Sequence, residues 1–155
     1  MQPRIRSANK YQPPWQLNKF PEDFALAVGS EIIAHVAVDR TGAIEGQTWE
    51  RMFATAIGAE WKPSNVGLDD IVLKDCAWGA KTVKASAPFA ATSIRLISGR
   101  NDPRYSYGYR PKKVDALGKM VLGIWNKRVS DVRKNYRHVR SVVLIKPGSA
   151  AEDWL

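Results

Sequence analysis

The sequence predicts an α/β domain in which helices flank a central mixed sheet. Three observations carry that expectation. Two segments, 44–58 and 113–136, repeat apolar residues at helical spacing. Short apolar stretches bounded by turn residues, at 70–73 and 77–85, read as neighbouring strands. A continuous apolar run, Val142-Val143-Leu144-Ile145, closes at Pro147-Gly148 and suits a buried central strand. Helices and strands mixed along 155 residues fit one compact domain.

The elements follow in order. Up to about Pro21 the chain holds Pro3, Pro13, Pro14 and Trp15 among basic residues and reads as an extended arm. Pro21-Glu22-Asp23 then favours a helix start, because proline presets φ and acids complement the amide dipoles of a first turn. Phe24, Leu26, Val28, Ile32, Ile33 and Val36 follow so densely that a buried helix to about Ala37 is expected. Arm and helix make up 1–41, and 42–155 forms the main core of the same unit. Asp39-Arg40-Thr41-Gly42 is a turn. The second helix runs from Ile44 to about Gly58, with Trp49, Met52, Phe53, Ala56 and Ile57 on one side.

Pro63-Ser64-Asn65 breaks the chain before the strands. Asp70 to Leu73 is the first strand, Asp75 lies in a turn, Ala77 to Ala85 is the second, and Ile94 to Ser98 a third. Gly99 to Pro111 reads as a loop. In the long helix, Lys113 to Tyr136, Leu117, Val121, Ile124, Trp125 and Val132 share one face. Lys119, Lys127, Arg133 and Lys134 share the opposite one. Arg128 falls on the apolar face, so it must snorkel or find a partner.

Charge narrows the functional class. The net charge is +9, yet residues 1–103 are nearly neutral, with 12 Lys/Arg against 11 Asp/Glu. Residues 104–146 hold 12 Lys/Arg against only Asp115 and Asp131. Such a block repels itself until a polyanion neutralises it, and phosphate backbones are the common polyanion. A nucleic-acid partner is therefore expected. No apolar run approaches 18 residues, so no membrane span is expected. Met1 to Lys10 lack the apolar stretch of a secretory leader, and a cytoplasmic setting is the default. Cys76, the lone cysteine, excludes an internal disulfide and a CxxC zinc site. His35 and His138 have no metal-binding spacing with each other, and no phosphate-cradling Gly-rich Lys-Ser/Thr loop or Gly-x-Ser-x-Gly elbow occurs.

Three residues stand in an order that suggests chemistry: Glu50 on a helix, Asp70 opening a strand, and Lys81 on the next strand. Two carboxylates suit a hard cation such as Mg²⁺, which prefers oxygen ligands. A nearby lysine stabilises charge on a reacting phosphate or helps orient and deprotonate the attacking water.

The stretches Gly67-Leu68-Asp69-Asp70-Ile71-Val72-Leu73 and Gly79-Ala80-Lys81-Thr82-Val83 resemble the PD-(D/E)xK nuclease superfamily, which includes most type II restriction endonucleases. The resemblance covers roughly residues 42–146. It implies a restriction-endonuclease-like core that cleaves DNA with Mg²⁺, or with Mn²⁺ in its place. Asp70 and Glu50 would be metal ligands, and Asp70, Lys81 and Glu50 the catalytic group. The acid that the motif places two residues before the lysine is Gly79 if Lys81 is the match, or Thr82 if Lys84 is. The second ligand then comes from Glu50, Asp69 or Asp75. Strand alternation puts Lys81 and Lys84 on opposite faces, so only one points into the site.

For DNA contact the candidates are Arg100, Asn101 and Arg104 in the loop, Lys119, Lys127 and Lys134 on the long helix, and Lys84. Arginine and asparagine can read base edges with two hydrogen bonds, and lysines meet phosphates. A homodimer is expected, since two symmetric sites cut both strands of a duplex. The alternatives are a nucleic-acid-binding module of the same fold without chemistry, and a basic interaction protein in an RNA assembly.

Overall fold

The computed structural model describes residues 13–39, 41–63, 68–94 and 99–147, and four strands in it form one mixed sheet. They are β1 (Glu60–Trp61), β2 (Ile71–Leu73), β3 (Cys76–Ala85) and β4 (His138–Pro147), side by side in that order. β1, β2 and β3 are successively antiparallel. β4 lies parallel to β3, from Cys76 opposite His138 to Ala85 opposite Pro147. A parallel step needs a crossover, and the helix α4 (Val114–Val132) lies within it. The other helices are α1 (Phe24–Val38), α2 (Gly46–Ala56) and α3 (Pro103–Tyr107).

Alternation along β3 divides the core into two layers. Cys76, Trp78 and Ala80 pack with Ile71 and Val142 against Ile44, Trp49, Met52, Phe53, Ala54 and Ile57 of α2 and its flanks. On the opposite face Ala77 and Val139 pack with Trp125, Val129 and Val132 of α4 and with Leu68. α2 is helical because its buried positions, 49, 52 and 53, recur at one-turn spacing, and it ends where Gly58 turns left-handed at φ +63°. Phe53 sits at the centre with 0% exposure, its ring against Phe20, Phe24, Trp49 and Trp78. Phe53→Ala removes those contacts and leaves a void, so a loss of about 3–5 kcal/mol is expected, read as a lower urea midpoint at unchanged slope. A loss under about 1 kcal/mol would mean that this cluster is not the core.

Several expectations are corrected. α1 forms where expected but holds no buried residue. Phe24, Val28 and Ile32, one turn apart, pack on the core, while Leu26 and Val38 remain 75% and 86% exposed. Density of apolar residues predicted burial, but only one stripe has a neighbour. The expected loop at 99–111 contains a 3₁₀ turn, Gly99–Asn101, and then α3. Its signals are local: the Asp102 carboxylate accepts from the Arg104 amide at 2.9 Å, Pro103 follows, and Gly108 ends the helix at φ +74°. β1 was not foreseen. β4 pairs with β3 alone among the described residues and so lies at the sheet's edge, not its centre. In the third expected strand, Ile94 lies in no element and 95–98 fall outside the described residues. No described helix is long and apolar enough to cross a membrane.

Candidate active site

The β2–β3 hairpin builds the middle of the site. Its two-residue turn, Lys74-Asp75, joins strands paired Ile71 with Trp78, Val72 with Ala77 and Leu73 with Cys76. Continuing that register sets Asp70 opposite Gly79, on the face that carries Lys81 one strand repeat farther along. The Asp70 carbonyl also accepts from the Lys62 amide at 2.6 Å, which fixes the start of β2 against the end of β1. Asp70 is 2% exposed, and Lys81 is half-buried. Asp75 lies at the far end of the hairpin, exposed and 3.6 Å from Arg137. The three residues of β2 and the turn itself separate it from Asp70, roughly 10 Å or more at strand rise, so it is no second ligand here.

Glu50 approaches from α2, half-buried, and its Oε2 accepts from the indole Nε1 of Trp61 on β1 at 3.3 Å. Burial pushes its carboxyl above the usual carboxylate range, and the Asp70 charge pushes the same way. Trp61, Lys81 and Arg100 oppose the shift. Lys81 shows the converse. Burial pushes its ammonium down, Asp70 and Glu50 hold it up, and Arg100 and Arg128 add to the fall. Glu50 and Lys81 thus each feel the other, Asp70 and Arg100, from four separate segments of the chain.

Arg128 finds the partner that its place on the apolar face requires. Its Nη1 donates to Asn101 Oδ1 at 2.6 Å and its Nη2 to the Arg100 carbonyl at 2.8 Å. Asn101 is consequently 2% exposed, which corrects the expectation that it reads a base edge. The remaining candidates stand apart from this cluster of charges. Lys84 points to the other face, exposed, with Lys146 as its register partner. Arg104 is exposed beside Asp102 at 3.4 Å. Lys119 is exposed on α4, and Lys127 and Lys134 both bridge to Asp131 at 2.8 and 2.7 Å. The two lysines hold the Asp131 carboxyl down to about 2. Such exposed bridges yield readily to another anion. Trp61 and Arg128 are the site residues that sequence reasoning assigned no role.

Among the described residues no group of three or more His, Cys, Asp or Glu stands together. Glu50 and Asp70 are the carboxylates available. That donor set fits Mg²⁺, which binds through one or two carboxylates, its own waters and substrate phosphates.

The Glu50 shift has a sign that can be checked. A carboxyl raised in the folded state favours folding when protonated, so its stabilising contribution is complete below the ordinary carboxylate range. It is lost as pH rises through the raised value. Glu50→Gln removes that dependence while an amide oxygen still accepts from Trp61. Above neutral pH, without divalent ions, the variant is expected to be more stable than wild type by up to about 1 kcal/mol given partial solvent screening, read as a higher melting temperature. The gap should close at pH 4 and in millimolar Mg²⁺. Equal melting at pH 8 would show that neither burial nor the Asp70 charge raises the Glu50 carboxyl.

Comparison with protein-family models, with curated proteins and with solved structures found no match to the chain.

Proposed function

We propose that this protein is a Mg²⁺-dependent endonuclease that hydrolyses phosphodiester bonds in DNA, of the PD-(D/E)xK class and of the restriction type. The electrostatic coupling of Glu50 on α2 with Asp70 at the start of β2 and Lys81 in the middle of β3 carries this reading. The order α2, β1, β2, β3, α4, β4, with an acid opening the hairpin and a lysine on its second strand, supports it. So does the basic surface that follows residue 103.

In this mechanism Asp70 and Glu50 hold the metal. When bound, Mg²⁺ supplies a Lewis acid for the phosphate oxygen and lowers the pKa of a coordinated water. The chain's own groups do the rest. Asp70 is fixed by its burial and by the backbone bond to Lys62. Trp61 orients Glu50 through its indole N–H. Lys81, depressed by burial, stabilises charge on the phosphate oxygens at Nζ and gives or takes a proton more readily than an exposed lysine. Two copies would cut the two strands, so the proposal includes a homodimer.

Gly79 favours a second reading. It lies opposite Ser141 on the face of Lys81, where the motif calls for an acid, so the site has one carboxylate fewer. A DNA-binding module without chemistry would share every other feature. Incubation of supercoiled plasmid with the protein in Mg²⁺ or Mn²⁺, repeated in EDTA, separates the two. Metal-dependent nicking is expected. Retarded but intact plasmid in both metals would sink the nuclease reading in favour of the module.

A further inference from the structure

We propose that the exposed arch from Arg104 to Arg110 binds an unpaired DNA strand, its tyrosines stacking on bases while its arginines meet phosphates. That the strand is DNA rather than RNA rests on the proposed function; the residues themselves stand outside the candidate active site. Every residue of the arch is exposed, and Tyr105, Tyr107 and Tyr109 are 70%, 52% and 60% exposed. A phenol ring ordinarily buries its faces and keeps its hydroxyl wet, so these rings leave apolar faces for a partner to cover. The arch is held in place from both sides. Asp102 caps α3 by accepting from the Arg104 amide at 2.9 Å, and Pro103 is buried beside it. Gly108 closes the helix at φ +74°, and the chain returns until Arg110 Nη1 lies 4.0 Å from Asp102 Oδ2. Arg104 Nε lies 3.4 Å from the other oxygen, Oδ1. One carboxylate thus gathers two guanidinium groups at the foot of the arch, with the tyrosines between them in the chain. The preceding turn is tied to α4 by Arg128, through Asn101 Oδ1 at 2.6 Å and the Arg100 carbonyl at 2.8 Å. A surface fixed in this way loses little freedom when it binds.

Charge and ring chemistry together select the occupant. Residues 103–114 hold Arg104, Arg110, Lys112 and Lys113 and no acid, so Asp102 faces a positive surplus. That surplus suits a polyanion, and an arginine fork offers parallel N–H donors to phosphate oxygens. Duplex DNA meets the charge but not the rings, because its base faces are stacked on one another and closed to a protein surface. An acidic peptide meets the charge with carboxylates and leaves the rings bare. An unpaired strand supplies both, phosphates for the arginines and a base face for each phenol. Its flexible backbone lets successive bases turn towards rings that do not share a plane.

Binding is measured in EDTA, where no cleavage intervenes, by the anisotropy of labelled probes: a 20-nucleotide oligothymidylate, the same sugar-phosphate strand without bases, and an oligouridylate of equal length. Each ring stacked on a base is worth roughly five- to a hundredfold in affinity. Y105A/Y107A/Y109A should therefore weaken oligothymidylate binding by at least about twenty-fivefold, the value of two rings at the lower bound. It should leave the abasic strand, the salt slope and the melting temperature nearly unchanged. Y105F/Y107F/Y109F should bind like wild type, because the ring and not the hydroxyl makes the contact. R104Q/R110Q should weaken both the oligothymidylate and the abasic strand, and flatten the salt slope by about 0.7 for each lost phosphate contact. An equal loss on the abasic strand, or a matching loss in the phenylalanine variant, would overturn stacking. Oligouridylate bound more tightly than oligothymidylate would overturn DNA as the strand. Alanine at all three tyrosines without effect on any probe overturns the site and leaves the nuclease reading to the plasmid assay. Tyrosine-dependent binding by a wild type that does not nick plasmid upholds the site and removes the chemistry.

Discussion

Replacing Lys81 with alanine is expected to slow plasmid cleavage by at least about a hundredfold, the loss seen when developing charge loses its stabiliser. Lys84→Ala should cost little beyond a modest loss of binding. The two lysines belong to one strand, but the alternation of β3 turns them to opposite faces. Lys81 is half-buried and within electrostatic reach of Asp70 and Glu50, whereas Lys84 is exposed beside Lys146. Arginine at 81 should not rescue, because a broad planar fork does not fill the space of a compact ammonium beside a metal. Initial rates on supercoiled plasmid, with duplex binding measured in parallel, decide the matter. The opposite ranking would move the motif to Lys84 and the missing acid to Thr82. Equal, small losses would favour the binding module.

Asp70 should produce the largest effect of all, in two separable parts. Asp70→Asn keeps the shape and removes the charge, and cleavage should fall by on the order of a thousandfold while duplex binding persists or strengthens. Both variants should also cost stability at neutral pH, about 3 kcal/mol at most for a half-buried partner, since each leaves the Lys81 ammonium without the opposing charge of Asp70, and Asp70→Ala adds the loss of packing. That penalty has a direction in pH. Burial depresses Lys81, so the folded state disfavours its charged form, and the cost is present below the depressed value and relieved as pH rises towards the ordinary lysine range. Urea melts of Asp70→Asn at pH 7 and pH 10 should therefore converge on wild type at the higher pH. A constant gap would mean that the loss comes from packing alone, and full cleavage by Asp70→Asn would remove Asp70 from the site.

The hairpin that carries the candidate site was more legible in the sequence than the arrangement around it. Trp49, Met52 and Phe53 announce α2 because one buried stripe sets their spacing, and Ile124, Trp125 and Val132 do the same for α4. The hairpin follows from a turn between two apolar stretches, and it carries Asp70 and Lys81 with it. Burial of α1 could not be read, because Leu26 and Val38 are as apolar as Val28 and Ile32 and differ only in having no neighbour. β1 is two residues long and exists through its pairing with β2, which no local pattern encodes. Arg128 was visible as an anomaly on an apolar face. Its partner was not, since Asn101 lies 27 residues earlier and had the look of an exposed base reader. Local periodicity speaks for single elements, and long-range polar pairing is settled only by the fold.

Cys76 opens β3 just past the hairpin turn, in register with Leu73 on one side and His138 on the other, at 0% exposure. Burial pushes its thiol up to about 12, so at neutral pH it is almost wholly protonated and inert to thiol reagents while the strands stay joined. The chain therefore carries a built-in reporter of its own opening. An aromatic disulfide reagent in excess should label it only as fast as β2, β3 and β4 separate, with no added dye or engineered residue. If cation binding at Asp70 braces the hairpin from its other end, Mg²⁺ should slow that labelling in wild type and leave it unchanged in Asp70→Asn.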